Sequence, residues 1–270
     1  MTKRKIWWGD FTTKEFENLD ADHVVAIIPV AAIEQHGPHL PVSTDTSIMK
    51  GMLKTIIPLL PAEMDVRILP IQSIGKSNEH IKAPGTLTIG ATHLIDHWCD
   101  IGNSIAKTNI RKVIFVNSHG GNEEIMGIVA REMRVKHAML VAKTSWSRFG
   151  MPNGVFSDEN AKYGIHGDDY ETSMMLHFAP HLVNMALAQD FKSRVENAEA
   201  EFSLLRHTGT QAFAWMADDL NPNGVVGEAI KATAAKGALA ANHQAKGFIE
   251  LLADVHKAKL ADWQIGKAHV

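Results

Sequence analysis

Four short apolar runs, each of strand length and separated by stretches of helical period, constrain the fold of this chain more than any other feature. The runs are Val24–Val30, Val66–Ile71, Lys112–Asn117 and Ala138–Ala142. Between them, Asp45–Ile57 repeats apolar residues at Ile48, Met49, Met52, Leu53, Ile56 and Ile57 until Pro58 stops it. Thr92–Lys107 carries a stripe of Leu94, Trp98, Ile101 and Ile105, and Asn122–Val135 one of Ile125, Ile128, Val129 and Met133. Apolar runs without a polar alternation are strands buried on both faces. Strands that alternate with helices predict an α/β protein whose parallel sheet is covered on both sides.

The pattern loosens after the fourth run. Phe149–Gly167 is rich in Gly, Asn, Asp and Ser and reads as a long loop, a kind that usually carries function. Glu171–Phe178 reads as a short helix stopped by Pro180, and Leu220–Gly224 as a turn. Gly227–Lys257 reads as one long Ala-rich helix. No repeat, low-complexity tract or linker divides residues 1–270, so a single domain is expected.

The bulk composition excludes several classes. A net charge of -3 gives no basic footprint for nucleic acid or an anionic membrane. The longest apolar run, Val24–Ile33, is far below the roughly 20 residues of a spanning helix. Lys3-Arg4-Lys5 runs into Trp-Trp-Gly-Asp rather than a signal-peptide apolar stretch. The single cysteine, Cys99, has no internal disulfide partner and reads as an apolar filler. These features together predict a cytoplasmic protein.

The chemistry gathers at the strand ends. Glu34 and His36 follow the first run, two apart, so extended geometry points them the same way. Asp45 opens the next helix, where an N-cap is its bland alternative. His119 follows the third run in the same relation. In open parallel sheets, side chains at the carboxyl ends converge on one edge. Carboxylates and imidazoles converging there predict a divalent metal, and an Asp between two ions can bridge them. Gly120 and Gly121 open a helix beside His119, where amides suit a developing oxyanion. His166 ends the long loop as a candidate proton shuttle. Glu171, in the first turn of the following helix, is a candidate fifth ligand, with helix-dipole stabilisation as its alternative role. His39 and His80 read as histidines near the ligands, Ser77 as a loop serine, and Glu123 and Glu124 as a solvated helix face. His177, His181, His207, His243 and His256 show no clustering and read as surface residues. Trp7 and Trp8 suggest a subunit contact or core lid, and Trp146 and Trp215 a substrate mouth.

Four ordered segments resemble the creatininase family of metal-dependent amidohydrolases. They are Glu34-Gln-His36-Gly-Pro-His-Leu-Pro with Asp45, Gly75-Lys-Ser77-Asn-Glu-His80 with Pro84-Gly-Thr-Leu, Asn117-Ser-His119-Gly-Gly-Asn122, and His166-Gly-Asp-Asp-Tyr-Glu171-Thr-Ser. Gly224-Val-Val-Gly227 also fits. The resemblance implies a three-layer α/β/α sandwich with a mainly parallel sheet. It implies two divalent ions per chain, zinc and/or manganese, and a homo-oligomer, commonly a hexamer; mixed carboxylate–imidazole ligands also tolerate iron. Carried over, Glu34, Asp45 and His119 would hold one ion, and His36 and Asp45 the other. His166 would match the catalytic histidine, and Ser77 and Gly120 substrate-contacting positions. In creatininase itself a glutamate stands where this chain has Gly121, so Glu171 is the replacement ligand expected here. A Trp-Asp pair that holds the creatinine ring is also replaced, the region reading Lys162-Tyr163-Gly164-Ile165.

The expected function is hydrolysis of a C–N bond, other than a peptide bond, in a cyclic or related small amide. A metal-bound hydroxide would attack the carbonyl and His166 would protonate the leaving nitrogen. Hydrolytic opening of a cyclic ketone or lactone, and a non-catalytic metal-binding protein, are the two alternatives.

Overall fold

The computed structural model describes residues 4–196 and 198–263, so Lys3 of the basic triplet lies outside the described residues. Four parallel strands form the central sheet in the order β2-β1-β3-β4: β1 (Val24–Val30), β2 (Asp65–Ile68), β3 (Lys112–Asn117) and β4 (Leu140–Ser145). Every residue of β1 and β3 is buried, as continuous apolar runs require. Alternation then sorts their side chains between two cores.

On one face, Val25, Ile27, Ile114 and Val116 pack against three helices: α1 (Thr44–Ile56), α4 (Asp169–Phe178) and α5 (Ala234–Lys257). Met49, Met52 and Leu53 of α1, Met174 and Met175 of α4, and Phe248 and Leu252 of α5 complete that core. On the other face, Val24, Ala26, Ile28 and Phe115 meet α2 (Ala91–Ala106) and α3 (Glu123–His137) through Leu94, Trp98, Ile105, Met126 and Val129. The architecture is a three-layer α/β/α sandwich.

Several boundaries differ from expectation. The second strand ends at Ile68 rather than Ile71. Pro70 has no N–H for the ladder, although Leu69 and Gln72 on either side still donate to the β1 carbonyls of Ile27 and Pro29. The fourth strand is Leu140–Ser145, because Ala138 adopts a left-handed conformation as the C-cap of α3. Helix α5 begins at Ala234, not Gly227. Thr233 accepts from Lys236 N as its N-cap, while Gly227–Glu228 (β6) pairs antiparallel with Asp190–Phe191 (β5). The long loop contains a helix at Asp158–Tyr163, capped by Ser157. No described helix is long and apolar enough to cross a membrane.

Candidate metal centre

The register places Val30, Asn117 and Ser145 side by side at the carboxyl edge of the sheet. Glu34 and His36 follow Val30, and His119 follows Asn117. Ser118 Oγ donates to Asp45 O at 2.9 Å, tying the first turn of α1 to the end of β3. Asp45 is therefore not an N-cap; Ser43 holds that position, and the Asp45 carboxylate turns inward. Asn117 and Asn122 brace this edge: Asn117 Oδ1 accepts from His119 N at 3.0 Å, and Asn122 Nδ2 donates to Ala31 O at 3.1 Å.

The predicted ligands meet in two overlapping triads, Glu34–Asp45–His119 and His36–Asp45–Glu171, each with its ligand atoms within 4.8 Å of one another. His119 Nδ1 is 3.1 Å from Glu34 Oε1 and 3.5 Å from Asp45 Oδ2. His36 Nε2 is 3.5 Å from Asp45 Oδ1 and 3.6 Å from Glu171 Oε2. Glu171 is itself steadied by Gly167 N, which donates to Oε2 at 2.6 Å.

Backbone carbonyls fix which ring nitrogen faces inward. His36 Nδ1 donates to Glu34 O (3.0 Å), His119 Nε2 to Lys76 O (2.7 Å) and His166 Nε2 to Gln35 O (2.6 Å). A carbonyl only accepts, so in each neutral ring the other nitrogen carries the lone pair and faces the carboxylates. His166 Nδ1 lies 3.6 Å from Glu34 Oε1. An antiparallel bridge to Val226 positions His166 itself.

The electrostatics are those of a cation site. Burial opposes charge on His36 and His119, yet Asp45 beside the one and Glu34 beside the other raise both imidazoles to about 10. Burial pushes the Glu34 carboxyl up, but His119 and the neighbouring imidazoles hold it well below its ordinary range. Burial raises Asp45 against the pull of His36. Burial and the nearby His36 and His80 rings lower His166 to about 3. Glu34 Oε2, His36 Nε2 and Asp45 Oδ2 are buried without a hydrogen-bond partner. Mixed carboxylate–imidazole donors with uncommitted lone pairs fit divalent zinc, manganese or iron.

Other expected residues are placed differently. Gly120 and Gly121 line a cavity of about 770 Å³ over the site; Gly120 also lines a neighbouring one of about 560 Å³. Ser77 is buried beneath His119, its Oγ 3.3 Å from Nε2, and is not among the residues lining either cavity. His39 bonds Thr172 Oγ1 at 2.9 Å and stacks on Phe191, outside both triads. His207 is buried and stacked on Tyr163, not at the surface. Glu123 is not a solvated residue: it accepts from Ser145 Oγ and Lys143 Nζ and lines both cavities. Trp215 lines the larger cavity, whereas Trp146 is a core residue against Phe248 that borders the smaller one. Trp8 packs against Phe16 with the rings tilted, and Cys99 packs at the margin of the second core.

Sequence reasoning missed Gln35, Glu79 and part of Gly121's role. A Cβ on Gly121 would lie 2.4 Å from Lys76 O and 2.5 Å from Glu79 Oε1, so the Glu79 carboxylate fills the space a side chain at 121 would need. Burial raises the Glu79 pKa. The Gly-Lys-Ser-Asn-Glu-His segment was visible as a motif, but nothing local announced this approach.

A layered α/β fold with a carboxylate–imidazole centre at the strand ends defines the class, and comparison with known proteins gives the family. The creatinine amidohydrolase family profile matches residues 9–252, and the chain belongs to the creatininase family of hydrolases. The chain is 32% identical over 239 residues to the mycofactocin precursor peptide peptidase of Mycobacterium tuberculosis, covering 85% of this chain and 84% of that one. It is 26% identical over 198 residues to creatinine amidohydrolase of Pseudomonas putida, covering 67% and 75%. A manganese form of creatininase superposes with a TM-score of 0.75 at 21% identity, covering 94% of this chain and all of that one. A zinc–zinc form of a creatininase variant gives 0.74 at 21% identity, covering 95% of this chain and all of that one.

Proposed function

We propose that the chain is a metal-dependent amidohydrolase acting on a peptide-like amide, with a dinuclear centre at the two triads. The observation that carries this reading is the pair of triads sharing Asp45, with three buried polar atoms left unpartnered. Glu34, Asp45 and His119 would hold one ion, and His36, Asp45 and Glu171 the other. Two such ions lower the pKa of water and polarise a carbonyl.

The chain's own residues do the rest. His166 offers only Nδ1, because Nε2 is committed to Gln35 O. Nδ1 is thus the atom through which His166 would pass a proton from the attacking water to the leaving nitrogen. Glu171, whose Oε2 lies 3.6 Å from His36 Nε2, would complete the donor set of the second triad. Gly120 and Gly121 bring backbone, without a side chain, to the cleft where the substrate carbonyl would lie.

Two features favour a peptide-like amide over a small cyclic one. The cavities of about 770 and 560 Å³ meet at His119, Gly120 and Ile165, leaving room on both sides of the centre. The relatives at 32% identity are named for a peptide substrate. Single-domain organisation, a cytoplasmic location and a homo-oligomer belong to the same proposal. The test is a panel of peptide amides, lactams and lactones on zinc- and manganese-loaded protein. Amine release from linear amides is expected; ring-opened acid without amine would favour the lactone or ketone alternative. Silence of the whole panel with metal bound would favour a non-catalytic metal protein.

A further inference from the structure

Gln35 stands between two expected ligands, and its side chain turns away from both triads. Gly37 N donates to Gln35 Oε1 at 2.9 Å, and Gln35 Nε2 donates to Gly224 O at 2.5 Å. These partners fix the amide's orientation. A flip would set oxygen against a carbonyl and NH₂ against an N–H. Gly224 makes the approach feasible: a Cβ there would lie 2.6 Å from Gln35 Nε2.

The same NH₂ group lies 2.8 Å from His80 Nδ1. An amide nitrogen only donates, so Nδ1 of the neutral His80 must accept, and its proton resides on Nε2. That nitrogen faces Glu34 Oε1 at 3.5 Å, beyond the ordinary hydrogen-bond range. His80 and Glu34 both line the 770 Å³ cavity. His80 therefore has the opposite polarity to His36, His119 and His166. In their neutral forms those three rings aim a lone pair at the centre, whereas His80 aims an N–H.

We propose that His80 is a catalytic residue: a neutral imidazole whose Nε2–H donates to the substrate oxygen that gains charge during hydrolysis. A neutral imidazole is suited to this, since it supplies a donor without adding a further positive charge to a site built for cations. Gln35 is the positioning residue that selects the tautomer. The inference rests on the hydrolytic reading for its catalytic part, but the tautomer and the non-ligand role stand apart from turnover.

The experiment pairs nitrogen-15 NMR of the imidazoles in zinc-loaded wild type with metal analysis and kinetics of His80→Ala and His80→Asn on a peptide amide. The expected spectrum shows His80 protonated at Nε2, with Nδ1 of the hydrogen-bonded acceptor type. His80→Ala should keep its metal content and lose about 10²–10³-fold in kcat with a smaller change in KM. His80→Asn, which restores an N–H, should recover part of the loss. A proton on Nδ1, an Nε2 bound to zinc, loss of metal in His80→Ala, or unchanged kcat would each overturn the proposal. If no amide is hydrolysed, the proposed function fails, while the spectrum and metal content still decide the role of His80. If the alanine variant does not fold, the wild-type spectrum and the asparagine variant serve.

Discussion

The two triads share Asp45 but are built differently. Glu34, Asp45 and His119 come from the ends of β1 and β3 and the first turn of α1, and none is more than 5% exposed. The other triad takes Glu171 from α4, beyond the long loop, with its side chain 16% exposed. Its carboxylate depends on Gly167 N and on the turn at Asp168, which caps α4 by accepting from Glu171 N. One triad is part of the packed sheet edge, and the other is completed by a segment that docks on it. Ligands held by a braced shell keep metal more tightly than those that are not. The first triad should therefore be the tight site and the second the exchangeable one.

The largest effect expected is that of Asp45→Asn, which removes the carboxylate both triads use. Elemental analysis should show both ions lost and hydrolysis no longer measurable. Full retention of either ion would break the idea of a shared ligand. His166→Ala should lower kcat/KM by about 10²–10⁴-fold with metal content unchanged. Metal loss there would instead make His166 a ligand, as the Glu34–His36–His166 grouping permits. A graded chelator should strip the two sites unequally, with apparent affinities at least about 10-fold apart. A single release step would dissolve the distinction. Gly121→Ala presses a methyl onto Lys76 O and Glu79, so denaturant unfolding should show a loss of about 1–3 kcal/mol. An unchanged midpoint would mean that the edge behind the first triad gives way freely.

The same contrast explains what the sequence could reveal. Strands β1 and β3 were legible because both of their faces are buried, and the ligands at their ends followed from strand direction alone. Helix periods located α1, α2 and α3 to within two residues at each end, where capping rather than pattern sets the limit. Thr233 starts the Ala-rich helix later than its composition suggests, through a capping hydrogen bond that no periodicity records. The contacts of Gln35 and Glu79 and the tautomer of His80 depend on Gly224 and Gly121 arriving from distant segments, so no local signal encodes them. Glu171 was visible only as a first-turn acid, and its meeting with His36 is a matter of tertiary docking.

The most direct test of the account is the metal content per chain of wild type and Glu171→Gln, measured by elemental analysis after identical loading. Two ions in the wild type and one in the variant would agree with a tight triad and a docked one sharing Asp45. Equal content in the two proteins would contradict it, and Glu171 would then belong to the substrate cleft rather than to the metal centre.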